Sequence, residues 1–191
     1  MAGSRFSPRV MKTSVWNRIK RPLEFLLWAG VLGLVFLRLG PQVTAMFGVG
    51  AGEGEFSATA FRALDGSVFT MEDLEGKVVL VNAWATWCPP CVIEMPGFQR
   101  VYDDYKDQGF LVLGVSRDQG DPAPVRAFLE RKGITYPVAM AGEVDLGGIT
   151  NVQTLPTSYL IGRDGTIRHR VEGLYAGPAL RMAVKRLLAE R

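Results

Sequence analysis

The stretch Lys77-Val-Val-Leu-Val-Asn-Ala-Trp84-Ala-Thr-Trp-Cys88-Pro-Pro-Cys91-Val-Ile-Glu94-Met-Pro96 decides the fold. Its opening run, residues 77–83, is almost wholly apolar and rich in Val, and it follows Gly76. Such a run reads as a strand buried on both faces. The segment from about Pro89 to Gln108 is long enough for a helix. Cys88 and Cys91, the two cysteines of the chain, therefore lie where a buried strand hands over to a helix. Pro89 and Pro90 fall in the first helical turn, where a missing N–H costs little. Cys88 is thereby placed at the helix N-terminus, where free N–H groups and the helix dipole favour a thiolate.

Other uses of two cysteines fit less well. A structural zinc site needs four ligands, whereas the chain offers two cysteines and one distant histidine, His169. No metal is expected. Haem attachment needs a His directly after the second cysteine, and Val92 stands there. A purely structural disulfide across so short a loop stabilises little. A redox-active dithiol uses every neighbour. Trp87-Cys88-Pro89-Pro90-Cys91 resembles the active-site motif of thioredoxin-fold oxidoreductases. The longer pattern Val81-Asn82-Ala83-Trp84-Ala85-Thr86-Trp87-Cys88, followed by Glu94 and Pro96, resembles the TlpA/ResA branch. The similarity runs from about Phe56 to the C-terminus.

The resemblance implies an α/β thioredoxin-like fold: a central mixed sheet with helices on both faces and an N-terminal hairpin extension, and the basic, apolar N-terminal segment ahead of it reads as a single transmembrane helix. It implies a reductant of cysteine pairs in selected proteins, such as the haem-binding cysteines of apocytochrome c or the cysteines of a copper-site protein. It also implies re-reduction by a thiol-reducing electron donor in the membrane, and no cofactor beyond the Cys88–Cys91 disulfide. Cys88, at the exposed helix start, is the expected nucleophile, and Cys91 resolves the mixed disulfide. The resemblance further implies a cis peptide between Leu155 and Pro156, facing the cysteines. An X–Pro bond adopts cis at modest cost. The bared backbone groups can then pair with an extended substrate chain by strand addition. Trp87, Pro89, Leu155 and Pro156 form the expected substrate-binding set.

Glu94 lies three residues after Cys91, on the same helix face. Its neighbours Val92, Ile93 and Met95 point to partial burial, and the resemblance implies a carboxylate close to the dithiol. Asn82 stands six residues before Cys88, where thioredoxins proper carry a buried acid. Glu94 is therefore the candidate for proton handling. Trp84 reads as core and Trp87 as rim. Pro96 is expected to kink the helix. His169, in a polar strand, reads as exposed and idle.

Charge divides the chain. Residues 1–40 carry seven Lys/Arg and one acid, Glu24, whereas residues 41–191 carry fifteen Lys/Arg and eighteen acids. The overall charge of +3 thus hides a basic end on an acidic body, and a nucleic-acid role for the body has no support. Residues 1–22 form a basic tail. Phe25 to Leu37 is a run of thirteen uncharged apolar residues. Residues 23–40 approach the length of a bilayer span, about 20 residues with a lower range near 17, if Glu24 and Arg38 snorkel from the two ends. A cleaved signal peptide with Val43-Thr-Ala45 as its site is the alternative to an uncleaved anchor. Both place residues 41–191 on the extracytoplasmic, periplasmic side of a bacterial cytoplasmic membrane, because the basic flank stays inside. Residues 41–55 are Gly-rich and read as a tether. Residues 56–191 form the thioredoxin-like domain.

Within that domain, Phe61 to Thr70 reads as a hairpin turning at Asp65-Gly66. Met71 to Gly76 reads as a helical turn, and Phe110 to Ser116 as a second buried strand. Asp121 is placed to cap a helix from Ala123 to Lys132 that stops at Gly133. Tyr136 to Ala139 is an edge segment, and Asp145 to Asn151 a helical turn and loop within a Gly133–Asn151 insertion. Thr157–Ile161 and Thr166–Val171 form a second hairpin. Gly177 to Glu190 forms a final helix with Leu180, Val184, Leu187 and Leu188 on its apolar face.

Redox direction can also be read locally. Pro89 and Pro90 have no N–H to offer a Cys88 thiolate, and no Lys, Arg or His lies between Lys77 and Arg100. A weakly stabilised thiolate belongs to a reducing dithiol rather than a strong oxidant. A disulfide-donating oxidant is the alternative within this chemistry, and a copper-binding module is the alternative outside it.

Overall fold

The computed structural model describes residues 28–31, 49–51, 60–144 and 152–190. Residues 1–44 and 45–191 form separate compact units. In the first, residues 28–31 are helical, with Trp28 and Val31 exposed. The expected anchor over 23–40 otherwise lies outside the described residues. Among the described residues no helix is long and apolar enough to cross a membrane.

The second unit is built on a mixed sheet. Its strands are β1 Val49–Ala51, β4 Val78–Trp84, β5 Phe110–Ser116, β6 Val138–Met140, β7 Thr157–Ile161 and β8 Ile167–Glu172, in the spatial order β1-β8-β7-β4-β5-β6. β4, β5 and β6 run parallel, whereas β7 is antiparallel to both β4 and β8. Parallel neighbours need crossovers, and helices supply them. Helix α2, Pro89–Tyr105, joins β4 to β5, and α3, Ala123–Lys132, joins β5 to β6. β4 and β5 are buried along their whole length, as their largely apolar sequences require, with Asn82 and Ser116 as the buried polar exceptions. A separate two-stranded hairpin pairs β2 Phe61–Arg62 with β3 Val68–Phe69 and leads into the short α1, Met71–Leu74.

The alternation of side chains along β4 divides the core. Val78, Leu80 and Trp84 pack with Met95, Phe98 and Val101 of α2, Val125 and Leu129 of α3, and Leu180, Val184 and Leu187 of the final helix α4, Gly177–Ala189. Val79 and Val81 pack with Leu113, Tyr159, Ile161, Phe61 and Leu74 in a second core. Helices were expected on both faces. Among the described residues the three long helices share one core, and the β2–β3 hairpin with α1 covers the other. The reason is topological: right-handed crossovers that step in one direction along the sheet land on one side.

Three local readings change. Val49–Ala51, inside the Gly-rich stretch read as a tether, form an edge strand paired with Val171, Arg170 and His169. Backbone pairing needs no particular side chain. The cap of α3 is Pro122 rather than Asp121, whose Oδ1 accepts the Ala123 N–H at 2.9 Å. The edge strand β6 starts at Val138, two residues beyond Tyr136. Gly133 ends α3 in the left-handed region at φ 64°, where a glycine carries no steric penalty. The helical turn expected at Asp145 to Asn151 lies outside the described residues.

Candidate active site

The C-terminal end of β4 delivers the chain to the site. Cys88 is the N-cap residue of α2 and has extended backbone, with Pro89 and Pro90 occupying the first helical positions. Its N–H donates to the Ala85 carbonyl, and its carbonyl accepts the Val92 N–H, each at 3.2 Å. Cys88 and Cys91 are joined by a disulfide with 5.3 Å between Cα atoms. Cys91 is fully buried and Cys88 is 4 % exposed. Trp87, immediately before, is 67 % exposed, and Pro89, Pro90 and Ile93 are also exposed. Cys88, expected at an exposed helix start, is therefore itself buried with Cys91, because both sulfurs join the core while the adjacent apolar residues Trp87, Pro89, Pro90 and Ile93 face solvent.

The loop before Cys88 is fastened from the neighbouring strand. Asp118 lies just beyond β5. Its carboxylate accepts the Thr86 N–H at 2.9 Å, the Thr86 hydroxyl at 2.5 Å and the Ser116 hydroxyl at 2.8 Å. The Arg117 N–H donates to the Trp84 carbonyl at 2.8 Å. β5 therefore holds both ends of the turn that presents Trp87 and Cys88.

Across the sheet, Leu155 and Pro156 enter β7 through a cis peptide bond. Pro156 is buried and Leu155 half-buried, the latter against the core that contains both cysteines. The Pro156 carbonyl accepts the Gly173 N–H at 2.8 Å. That bond ties the start of β7 to the loop leading into α4.

Glu94, one helical turn past Cys91, is buried. One oxygen accepts from Asn82 Nδ2 at 2.9 Å and the other from the Tyr175 N–H at 2.9 Å. The same Asn82 Nδ2 lies 3.0 Å from Ser158 Oγ. Burial pushes the Glu94 carboxyl up to about 7, against the pull of these two hydrogen bonds. The fully buried Tyr136 hydroxyl adds to this setting; burial and the Glu94 charge both raise its pKa far above the usual phenol range. Tyr175 packs edge-on against Phe98 of α2, with 6.4 Å between ring centroids. Close approach of α2 and α4 brings Tyr175 within reach. A Cβ on Gly97 would sit 3.2 Å from the Gly177 Cα, so a side chain at either position fits only if the facing backbone gives by a few tenths of an ångström.

His169 is not idle. It is half-buried, and its Nδ1 lies 3.1 Å from the Tyr175 hydroxyl. Burial, and secondarily the charge of Arg186, depress its pKa. Pro96 lies inside α2, where it cannot donate to the Val92 carbonyl. Trp84 is fully buried.

The site therefore gathers Cys88, Cys91, Glu94, Asn82, Trp87 and Pro89 around the strand–helix junction. Asp118, Ser158 and Tyr175 were absent from the sequence reading. Asp118 had one available signal: strand C-terminal ends in α/β sheets are where sites form. Ser158 and Tyr175 act through register and backbone, which leave no local pattern.

Comparison with known proteins places the chain among thiol-exchange proteins by similarity. The chain is 37 % identical over 110 residues to a protein of Bacillus thuringiensis named thiol-disulfide oxidoreductase ResA, covering 58 % of this chain and 63 % of that one. A ResA protein of Geobacillus kaustophilus is likewise 37 % identical over 111 residues, covering 58 % and 63 %. The chain thus spans a little under two thirds of the length of these relatives. A crystal structure described as a thiol:disulfide interchange protein of the thioredoxin family, from Chlorobium tepidum, superposes with a TM-score of 0.60 at 27 % identity, covering 73 % of this chain and 98 % of that one. Residues 53–170 match the AhpC/TSA family model, and the chain belongs to that thioredoxin-like family.

Proposed function

We propose that this protein is a thiol–disulfide oxidoreductase working through Cys88 and Cys91. The observation that carries the reading is the Cys88–Cys91 disulfide at the start of α2, one helical turn from a buried carboxyl. In the reduced enzyme the Cys88 thiolate attacks a disulfide sulfur of the substrate. A mixed disulfide forms and one substrate sulfur leaves as thiolate. Glu94 takes the Cys91 proton. The Cys91 thiolate then attacks the Cys88 sulfur and releases the second substrate sulfur. Two electrons have passed to the substrate, and the enzyme is left with the disulfide of the present structure. A carboxyl titrating near 7 is suited to accept and return that proton near neutral pH.

The direction we favour is reduction, because Pro89 and Pro90 deny the Cys88 thiolate two N–H donors. The substrates are cysteine pairs of selected extracytoplasmic proteins, of the apocytochrome c or copper-site type. The enzyme is regenerated by a thiol-reducing donor in the membrane. Residues 23–40 serve as an anchor. The basic residues before them and the exposed apolar side chains of Trp28 and Val31 support this. N-terminal sequencing of the membrane-bound protein tests the anchor, since a chain starting at Met46 would be a cleaved product.

Cys88→Ser should remove disulfide exchange altogether, and Cys91→Ser should accumulate mixed disulfides with substrate. Exchange that survives in Cys88→Ser would sink the assignment.

A further inference from the structure

We propose that Asn82 is the positioning residue that lets the buried Glu94 carboxyl lose and regain a proton with its hydrogen bonds intact: the amide turns Nδ2 toward Glu94 and Ser158 when the carboxyl is ionised, and Oδ1 toward the same two groups when it is protonated. The inference rests on the proton-accepting role proposed for Glu94, and concerns how a carboxyl so enclosed can change state.

The geometry carries it. Asn82 and Ser158 are direct cross-strand partners in β4 and β7, and both are fully buried. A single amide atom, Nδ2, contacts Glu94 Oε1 at 2.9 Å and Ser158 Oγ at 3.0 Å. Its two N–H bonds match those two acceptors. Oδ1, on the other side of the amide, is buried without a hydrogen-bond partner. The second Glu94 oxygen accepts the Tyr175 N–H at 2.9 Å. Both hydrogen-bond partners of the carboxyl are therefore donors, which suits an anion.

Protonation reverses what Oε1 requires. The new O–H needs an acceptor, and Oε2 is already turned to a backbone N–H. Nδ2 cannot accept. A half-turn of the amide exchanges two groups of nearly equal size and keeps both contacts, at the cost of turning the Nδ2 N–H groups to the side where Oδ1 now lacks a partner. Oδ1 then accepts from the Glu94 O–H and from the Ser158 hydroxyl, which can donate as readily as accept. A fixed acid at position 82 would lack this option, because two neighbouring carboxyls oppose each other's ionisation. The other groups around the carboxyl are the buried phenol of Tyr136, Tyr175 with its partner His169, and the two cysteines on the same helix. None of them contacts Oε1 among the described hydrogen bonds.

The test reads the oxidised full-length protein by NMR, so it needs no turnover and is independent of whether Cys88 proves to be the nucleophile. Side-chain amide protons of Asn82 should show cross-relaxation to the Ser158 β-protons and the Glu94 γ-protons at about pH 9, and lose it at about pH 5, on either side of the carboxyl's value of about 7. Glu94→Gln mimics the protonated acid, since its Nε2 needs an acceptor; there the signals should be missing at both pH values. In Asn82→Val the anion loses a charge-assisted bond and the acid only a neutral one, about half as strong. The Glu94 titration should then move up by about one pH unit. Amide signals that persist at low pH, or in Glu94→Gln, or a Glu94 titration unmoved in Asn82→Val, would overturn the proposal.

Discussion

The two sides of the Cys88 turn differ in kind. On one side lie Trp87, Pro89, Pro90 and Ile93, all exposed and all without a titratable group. On the other lie Asn82, Glu94 and Ser158, all buried and joined by hydrogen bonds. A disulfide exchanger must recognise a partner and move a proton. The rim can do the first by shape and apolar contact, and the enclosed cluster can do the second because burial holds a carboxyl near neutrality. The division predicts that rim substitutions change which partners react, and cluster substitutions change at what pH they react.

The largest effect should come from the cluster. Glu94→Gln removes the proposed proton acceptor, and release of the mixed disulfide should slow by about 10²-fold. Stability supplies a second readout. The folded pKa of Glu94 is raised from 4.5 to about 7, so the folded state binds the proton more tightly than the unfolded one. The stability this provides is complete below 4.5 and is lost as pH rises through about 7, by about 3 kcal/mol. Denaturation of the oxidised protein across that range should show the loss in wild type and not in Glu94→Gln. His169, whose pKa is depressed, contributes with the opposite slope as pH falls. The difference between the two proteins isolates Glu94. Equal slopes would show that Glu94 titrates normally.

Asp118 joins the two regions, because it fixes the turn between them. Asp118→Ala strips the acceptor from the Thr86 N–H, the Thr86 hydroxyl and the Ser116 hydroxyl. A loss of about 2 kcal/mol in stability is expected, with exchange reduced about tenfold toward small and large disulfides alike as Cys88 loses its fixed approach. An unchanged rate toward a small disulfide would confine Asp118 to folding.

What the sequence made legible follows the range of the interactions. The buried strand, the Cys-Pro-Pro-Cys turn and the helix are local, and each residue type there states its own geometry: Val in β4, Pro at the helix start, Gly133 beyond the end of α3. Both hairpins were legible for the same reason. Glu94 was singled out by helical spacing, but its partners were not. Tyr175 reaches it with a backbone N–H from 81 residues away, and Ser158 meets Asn82 from 76 residues away. Such pairings depend on strand register and on how closely two helices approach. His169 was misjudged because alternation along a polar strand says nothing of a tyrosine at the next corner.

Gly97→Ala probes that close approach. The added methyl would press on the Gly177 backbone at 3.2 Å, and backbone yields less readily than side chain. Overpacking of this kind should destabilise by about 1–2 kcal/mol. Moving α4 outward also draws the Tyr175 N–H away from Glu94, and loss of a donor to the anion raises its pKa further. The pH window of instability should therefore shift upward. Lower stability at all pH values with an unmoved window would show that Tyr175 does not tune the carboxyl.

The smallest effect on the fold should be at the rim. Trp87 is 67 % exposed, so only a minor part of its surface leaves water on folding. Fully burying a large apolar side chain is worth about 1.5–3 kcal/mol, and Trp87→Ala should cost well under about 1 kcal/mol. Its effect on recognition is of another order. Exposed tryptophans beside a reactive group are frequent anchors in protein contacts, and truncating one loses about 1–2 kcal/mol of binding. Reduction of a protein disulfide should therefore slow about tenfold, while a small-molecule disulfide, which spans none of the rim, should react at an unchanged rate. The pH dependence should also be unchanged, because no hydrogen bond found among the described residues links Trp87 to Asn82, Glu94 or Ser158. Comparing rates for both disulfides across pH 5 to 9 separates the outcomes. If Trp87→Ala moved the pH profile as Glu94→Gln does, recognition and proton transfer would be one region and the contrast between the two sides would collapse.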